Sequence, residues 1–332
     1  MTEQFLTVTR DRGRVARWLA IGFLVADAAL NTVLIFQPYN TSVPSDQHLY
    51  DALTSMPDVL NFLLGALVCA ALLVAPRTRN FAVGYGLGLC GLWFANVVCD
   101  LRWPKYGMGT QTTIDRCITG CQVLALPAAI CVILLGLRGS GGQAPPAFER
   151  RPKPRPAVLI TGLVTLALSL ASDFVTTLHI AVPEQNGSTR SITCCTFGSL
   201  NAGAKADLFL SLALTIALIL LAANVGSAAT ASGIFAGLFT TVVGGLAVYV
   251  AAICFPIEFH IGILNRAIPA GTVLHASAYP EYSPRVGFWL ATTAVLALGA
   301  LAFISGLMYR SARDIHHTRA YHVPDTGLQR ME

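Results

Sequence analysis

Two acidic side chains interrupt segments that are otherwise apolar enough to cross a membrane, and they are the clearest candidates for chemistry. Asp27 comes about ten residues into the first such segment, which is about 15 Å along an α-helix. Asn31 follows one turn later on the same face. In the fifth segment the spacing i, i+3, i+4, i+7 predicts a polar stripe on one helix face, formed by Ser169, Ser172, Asp173 and Thr176.

These polar residues suit two different functions. Carboxylates inside a membrane are costly and usually face protein or water, so Asp27 and Asp173 could titrate along a cation or proton path. Alternatively, both could be protonated or hydrogen-bonded contacts between helices, satisfied by Ser, Thr and Asn neighbours. A path would recruit polar residues from other helices, and the second, fourth, sixth and eighth segments supply few. The packing interpretation is therefore favoured.

The sequence contains no recognisable enzyme motif. Cys117 and Cys121 are one helical turn apart, but no His or acidic pair completes a metal set. The phosphate loop, the His-Glu-x-x-His motif and the Gly-x-Ser-x-Gly elbow are absent from the sequence. We therefore predict no enzyme activity, no metal and no cofactor. A lipid enzyme with intramembrane carboxylates as bases is a third, weaker hypothesis.

The elements that must position these residues are membrane helices. Of the 332 residues, 54% are apolar and 12% are charged, whereas a soluble domain is about one quarter charged. This composition argues against a soluble globule and against disorder. A membrane helix needs about 20 apolar residues, and eight segments qualify: 17–37, 57–75, 81–99, 118–137, 157–182, 206–224, 233–255 and 286–309. The predicted fold is an all-α membrane protein.

The distribution of charge predicts the orientation. Most of the 22 Lys and Arg residues fall in connections on the side of the N-terminus, and such residues mark the cytoplasmic side. Both termini are then cytoplasmic, and the net charge of +5 needs no nucleic-acid partner. The tripeptide Ala26-Asp27-Ala28 also leaves open a cleaved signal peptide. The long apolar run that continues to Phe36 favours an uncleaved helix instead.

The predicted outer loops contain candidates for covalent modification. Asn40 and Asn186 begin Asn-x-Ser/Thr triplets, the pattern of N-glycosylation. Four cysteines lie in or beside outer loops, where disulfides can form: Cys99, Cys117, Cys194 and Cys195. Together these residues indicate the plasma membrane or the secretory pathway.

The chain is predicted to be two parallel four-helix repeats. Several residues recur at similar offsets, and the matched pairs are Asp27 with Asp173, Pro38 with Pro183, Asp58 with Asp207, Pro104 with Pro256 and Arg116 with Arg285. The predicted domains are a first repeat (1–138), a basic Pro/Gly-rich cytoplasmic linker (139–156), a second repeat (157–310) and a cytoplasmic tail (311–332). An even number of spans per repeat gives both repeats the same direction.

Glycines share a face in two of the segments. Gly84, Gly88 and Gly91 share a face of the third segment, and Gly233 with Gly237 repeats the spacing in the seventh. Such faces let helices approach closely. They predict tight helix packing or self-association.

In layout the chain resembles the double-MARVEL members of the MARVEL superfamily. Local similarities are Arg79-Asn80-Phe81 at the start of the third segment, Asp115-Arg116 before the fourth and Phe255-Pro256 after the seventh. The longer first outer loop and Asp27 depart from that pattern. The resemblance implies association with membrane lipids including cholesterol, and no catalytic residues. We expect a scaffold that organises membrane domains, itself a homo-oligomer or a partner of other membrane proteins; an ion-coupled transporter is the alternative.

Overall fold

The protein is mostly helical. The computed structural model describes residues 2–36, 63–102, 113–137, 147–148, 154–184, 187–194, 197–199, 202–254 and 281–320. Within these ranges lie eight α-helices: α1 Thr2–Phe36, α2 Ala66–Val74, α3 Arg79–Arg102, α4 Thr113–Leu137, α5 Pro156–Phe174, α6 Ala202–Asn224, α7 Ala228–Cys254 and α8 Val286–Ala320. The same ranges contain three strands: β1 Leu178–Pro183, β2 Thr189–Cys194 and β3 Glu281–Pro284.

Each of the eight predicted segments overlaps one of these helices, although the bounds differ and residues 57–62 of the second segment lie outside the described residues. Helix α1 begins 15 residues before the predicted start at residue 17, and α8 continues into the predicted tail as far as Ala320. Among the described residues, five helical stretches are long and apolar enough to cross a membrane: Gly13–Thr32, Pro156–Phe174, Lys205–Asn224, Ala228–Ala247 and Val286–Leu307. These five are consistent with a multi-pass membrane protein, and the number eight stays a prediction.

The prediction of one continuous fifth helix over 157–182 is wrong at its outer end. Helix α5 ends at Phe174, and the chain turns into β1. Strand β1 pairs antiparallel with β2 on one side and with β3 on the other. The β-branched run from Val175 to Thr177 disfavours a helix, and the alternating burial of Leu178, Ile180 and Val182 is typical of a strand. The fold is therefore not all-α.

The eight helices pack as two rings of four. In the first bundle each helix from α1 to α4 packs against the next, and α4 closes the ring against α1. The second bundle, α5 to α8, closes in the same order. The two bundles meet through α3, which packs along α7 and also contacts α6. Large buried side chains fill both bundles, among them Leu24, Trp93, Leu135, Ile219 and Phe235.

The α3–α7 contact is so close that backbone touches backbone. A Cβ on Gly84 would collide with the carbonyl oxygen of Thr230, and a Cβ on Gly233 would collide with that of Phe81. The two contacts are equivalent at an offset of 149 in the sequence, which takes Gly84 to Gly233 and Phe81 to Thr230. Residues near the start of α3 contact residues near the start of α7, so the two helices run parallel.

The next turn repeats this arrangement. A Cβ on Gly88 would meet the carbonyl oxygen of Ile234, and one on Gly237 would meet that of Tyr85, again at an offset of 149. The close approach predicted for the glycine faces is thus confirmed for α3 and α7. Gly91, one turn further along α3, lies against the side chain of Leu218 on α6.

Candidate functional site

Asp27 lies on the buried face of α1. This face is built by small and aliphatic residues spaced four apart, namely Ala16, Ala20, Leu24 and Ala28, which turn the same side of the helix to α2 and α4. The Asp27 side chain is 1% exposed and that of Asn31 is 2% exposed. Cys90 of α3 lies within electrostatic range of the Asp27 carboxylate. The predicted acidic residue therefore faces protein in the first bundle, not lipid.

The polar neighbours of Asp27 bond within their own helix. The side-chain amide of Asn31 donates to the backbone carbonyl of Asp27 at 2.9 Å. The hydroxyl of Thr32 likewise donates to the carbonyl of Ala28 at 2.8 Å. Such bonds to the carbonyl one turn back satisfy a polar group without a second helix. These two bonds therefore satisfy the polar groups of α1 locally and do not join α1 to another helix.

The second polar group lies where α5 meets the sheet. The hydroxyl of Ser172 donates to the carbonyl of Ser169 at 2.5 Å, and the half-buried Asp173 is the penultimate residue of α5. Thr176 does not continue the predicted helical stripe, because the helix has already ended. Its carbonyl accepts a hydrogen bond from the backbone N–H of Gly287 at 3.0 Å, which ties this turn to the start of α8.

The structure does not bring Asp27 and Asp173 into one site. Helix α1 packs against α2 and α4, whereas α5 packs against α6 and α8. Asp27 is enclosed in the first bundle, and Asp173 lies at the end of a helix in the second. The two carboxylates therefore belong to different bundles, and their environments differ in burial.

Arg79 contributes a contact that the sequence did not predict. Its guanidinium Nη2 donates to the carbonyl of Leu135 at 2.7 Å. Leu135 lies in the last turn of α4, where carbonyls have no partner within the helix. Arg79 thus caps α4 and fixes it to the start of α3. No local sequence signal indicated this contact, because Arg79 and Leu135 are 56 residues apart in the chain.

The three strands position a small polar cluster near the end of α5. Nε2 of His179 on β1 lies 2.6 Å from the hydroxyl of Ser191 on β2. At the hairpin turn, the hydroxyl of Ser188 donates to the carboxylate of Glu184 at 2.9 Å. Both hydrogen-bonded pairs are solvent-exposed. Since the sheet was not predicted, these pairs could not be found from the sequence.

The modification candidates fall largely outside the described residues. Asn40, Asn186 and Cys195 lie outside them. The backbones of Cys99, Cys117 and Cys194 belong to α3, α4 and β2, but their side chains are outside the described part. The glycosylation and disulfide assignments remain predictions. Of the described cysteines, Cys254 is exposed and three are buried, namely Cys69, Cys90 and Cys131.

The chain was compared with known protein families, curated proteins and solved structures. No protein-family model matches the chain, and no curated protein or solved structure matches it. Among the described residues, no group of three or more His, Cys, Asp or Glu side chains could hold a metal ion.

Proposed function

We propose that this chain is a membrane scaffold: a duplicated pair of four-helix bundles that organises membrane domains or partner proteins by helix packing. The observation that carries the proposal is the α3–α7 junction. There, at Gly84 and at Gly233, the backbone of the other helix occupies the space that a Cβ would need. Close packing of small residues is how membrane helices associate without a hydrophobic driving force. The centre of the molecule is thus built for helix association.

The internal repeat is part of the same proposal. Contacts of Gly84 and Gly88 recur for Gly233 and Gly237 at the single offset of 149, which is also the offset between Asp58 and Asp207. The two rings share one connection order. A duplicated ancestral unit accounts for both regularities.

The outer surface supports membrane association. Large apolar side chains on α4 are exposed at a spacing of seven, at Val123, Ile130 and Leu137. The same spacing recurs on α8 at Trp289, Leu296 and Phe303. Such stripes face lipid or a neighbouring helix. They are the surfaces through which the scaffold would contact lipids, including cholesterol, a second copy or another membrane protein.

The proposal includes a location and an orientation. The excess of Lys and Arg on the side of the N-terminus supports cytoplasmic termini. The triplets at Asn40 and Asn186 support the plasma membrane or the secretory pathway. Membership of the MARVEL superfamily would agree with the layout of two parallel four-helix units.

Cysteine cross-linking in native membranes tests the scaffold. The variants are made in a chain whose nine native cysteines, including the exposed Cys254, are replaced by Ser. Ile130→Cys and Leu296→Cys place a thiol on the two exposed stripes, and Ser305→Cys places one on α8 where the residue is 1% exposed. We expect the outward variants to cross-link to a second copy or to partner proteins, and the inward control to remain monomeric. If every outward position yields only monomer, the scaffold proposal fails.

A second candidate function, an ion- or proton-coupled conduit, is favoured by one observation. Asp27 is an almost fully buried carboxylate within the apolar stretch Gly13–Thr32, and such residues often mark ion paths. Flux into liposomes separates the two functions. Loss of a pH-dependent flux in Asp27→Asn and Asp173→Asn, with flux retained in the hairpin control Glu184→Gln, would replace the scaffold with a conduit.

A further inference from the structure

Four arginines gather at the end of the first bundle where α1 enters its apolar stretch. Arg14 and Arg17 flank the start of Gly13–Thr32. Arg77 lies in the turn before α3, and Arg79 is the first residue of α3. Arg14 and Arg77 are exposed, whereas Arg17 and Arg79 are partly buried. Among the described residues, this end of the first bundle thus carries a concentration of positive charge.

Arg17 and Arg79 form the centre of this group. Burial lowers the pKa of Arg79, and the positive charge of the nearby Arg17 lowers it further. Arginine nevertheless keeps its proton in proteins, so two like charges are held close together. Nε of Arg17 is buried and has no hydrogen-bond partner among the described residues. The partly buried guanidinium of Arg17, with an unused donor and a second positive charge nearby, is complementary to an anion.

The surroundings of this pair resemble a membrane interface. Arg17 lies four residues into the apolar stretch, which is about 6 Å along the helix. The guanidinium carbon of Arg17 lies 5.8 Å from the ring centroid of Trp18, and that indole is 52% exposed. Tryptophan is enriched at the boundary between head groups and acyl chains. Val15 and Leu19 are exposed beside it.

We infer that Arg17 and Arg79, with Arg14 and Arg77 around them, bind the negatively charged head group of an anionic phospholipid in the cytoplasmic leaflet. Basic pockets between membrane helices on this side bind such head groups. Guanidinium groups offer planar, paired donors that fit phosphate oxygens. The exposed Val15, Trp18 and Leu19 would contact the glycerol and acyl region, which a soluble anion lacks. The inference rests on the proposed orientation with a cytoplasmic N-terminus.

Lipid selectivity of the full chain tests this site. Single copies are reconstituted in phosphatidylcholine nanodiscs with or without phosphatidylserine, and the binding constants of the two lipids are compared. We expect preference for phosphatidylserine, falling about fivefold for each arginine replaced in Arg17→Gln and Arg17→Gln/Arg79→Gln. Arg285→Gln is the control, because it removes the same charge from an exposed position before α8.

Two further arms keep the outcome interpretable. Arg79→Gln also removes the cap on α4, so Arg17→Gln alone carries the test if the double variant unfolds, and Arg17→Lys should retain most of the preference. Inorganic phosphate should not displace phosphatidylserine. Equal selectivity in Arg17→Gln and Arg285→Gln would overturn the site, as would complete displacement by inorganic phosphate. Because each disc holds one copy, this result does not depend on the cross-linking that tests the scaffold.

Discussion

Replacing a glycine at the α3–α7 junction should push the two bundles apart and lower the free energy of unfolding. In Gly237→Ala the new Cβ would collide with the carbonyl oxygen of Tyr85 and press on the backbone nitrogen of Leu89. Both atoms belong to the backbone of α3, so no side-chain rotation relieves the contact. The helices must move apart, and the close packing along the junction is lost.

A matched control isolates that cost. Gly245 is in the same helix, and a Cβ there would meet nothing within 4 Å. Both variants gain the same intrinsic preference for helix, about 0.5–1 kcal/mol for Ala over Gly. Overpacking typically costs about 1–3 kcal/mol. We therefore expect Gly237→Ala to unfold with a free energy about 1–3 kcal/mol lower than that of Gly245→Ala.

Unfolding in mixed micelles with increasing dodecyl sulfate provides the assay. In a chain whose other three tryptophans are replaced by Phe, the fluorescence of Trp93, which is 1% exposed on α3, reports loss of packing near the junction. Gly88→Ala should cost about as much as Gly237→Ala, because its Cβ would meet the carbonyl oxygen of Ile234 in the reciprocal contact. Equal stability of Gly237→Ala and Gly245→Ala would refute the backbone contact and the reasoning built on it.

Three other perturbations have defined outcomes. Ser232→Ala removes the 2.6 Å hydrogen bond to the carbonyl of Ala302, so the unfolding free energy in the same titration should fall by about 0.6–2 kcal/mol; no change would mean the bond contributes nothing. Gly187→Ala forces a side chain onto a φ of +81°, at a cost of about 1–2 kcal/mol. Hydrogen exchange should then speed up in the β1–β2 hairpin alone, and unchanged protection would contradict the turn. Arg79→Gln loses the bond to Leu135, so exchange should rise in the last turn of α4, while a rise elsewhere only would argue against the cap.

The helices could be predicted from the sequence because length and apolarity are local properties. The stretch from Pro156 to Phe174 meets both criteria unaided. The continuation to residue 182 could not be excluded by hydropathy, since Leu178, Ile180 and Val182 are as apolar as a membrane helix. Only their alternation with smaller or polar residues indicated a strand. Its partner β3 lies about a hundred residues further along the chain, at Glu281–Pro284.

The sequence singled out the polar residues of the candidate site but could not give their arrangement in space. The depth of Asp27 in α1 follows from residue counting, and its neighbour Asn31 from helical periodicity. That Asp27 and Asp173 belong to different bundles depends on which helices pack together, and spacing along the chain carries no such information. The same limit applies to Arg17 and Arg79, which are 62 residues apart in the sequence.

The reciprocity of the α3–α7 junction has a consequence for how copies of the chain meet. A surface that matches an equivalent copy of itself can be satisfied within one chain or between two, as in isologous dimers. The covalent connection holds the two bundles of one chain at a local concentration that, for short linkers, is in the millimolar range. Closure within one chain therefore wins when copies are sparse. If the two bundles can also pair between chains, crowding the protein into a small membrane area would favour exchange of bundles between neighbours.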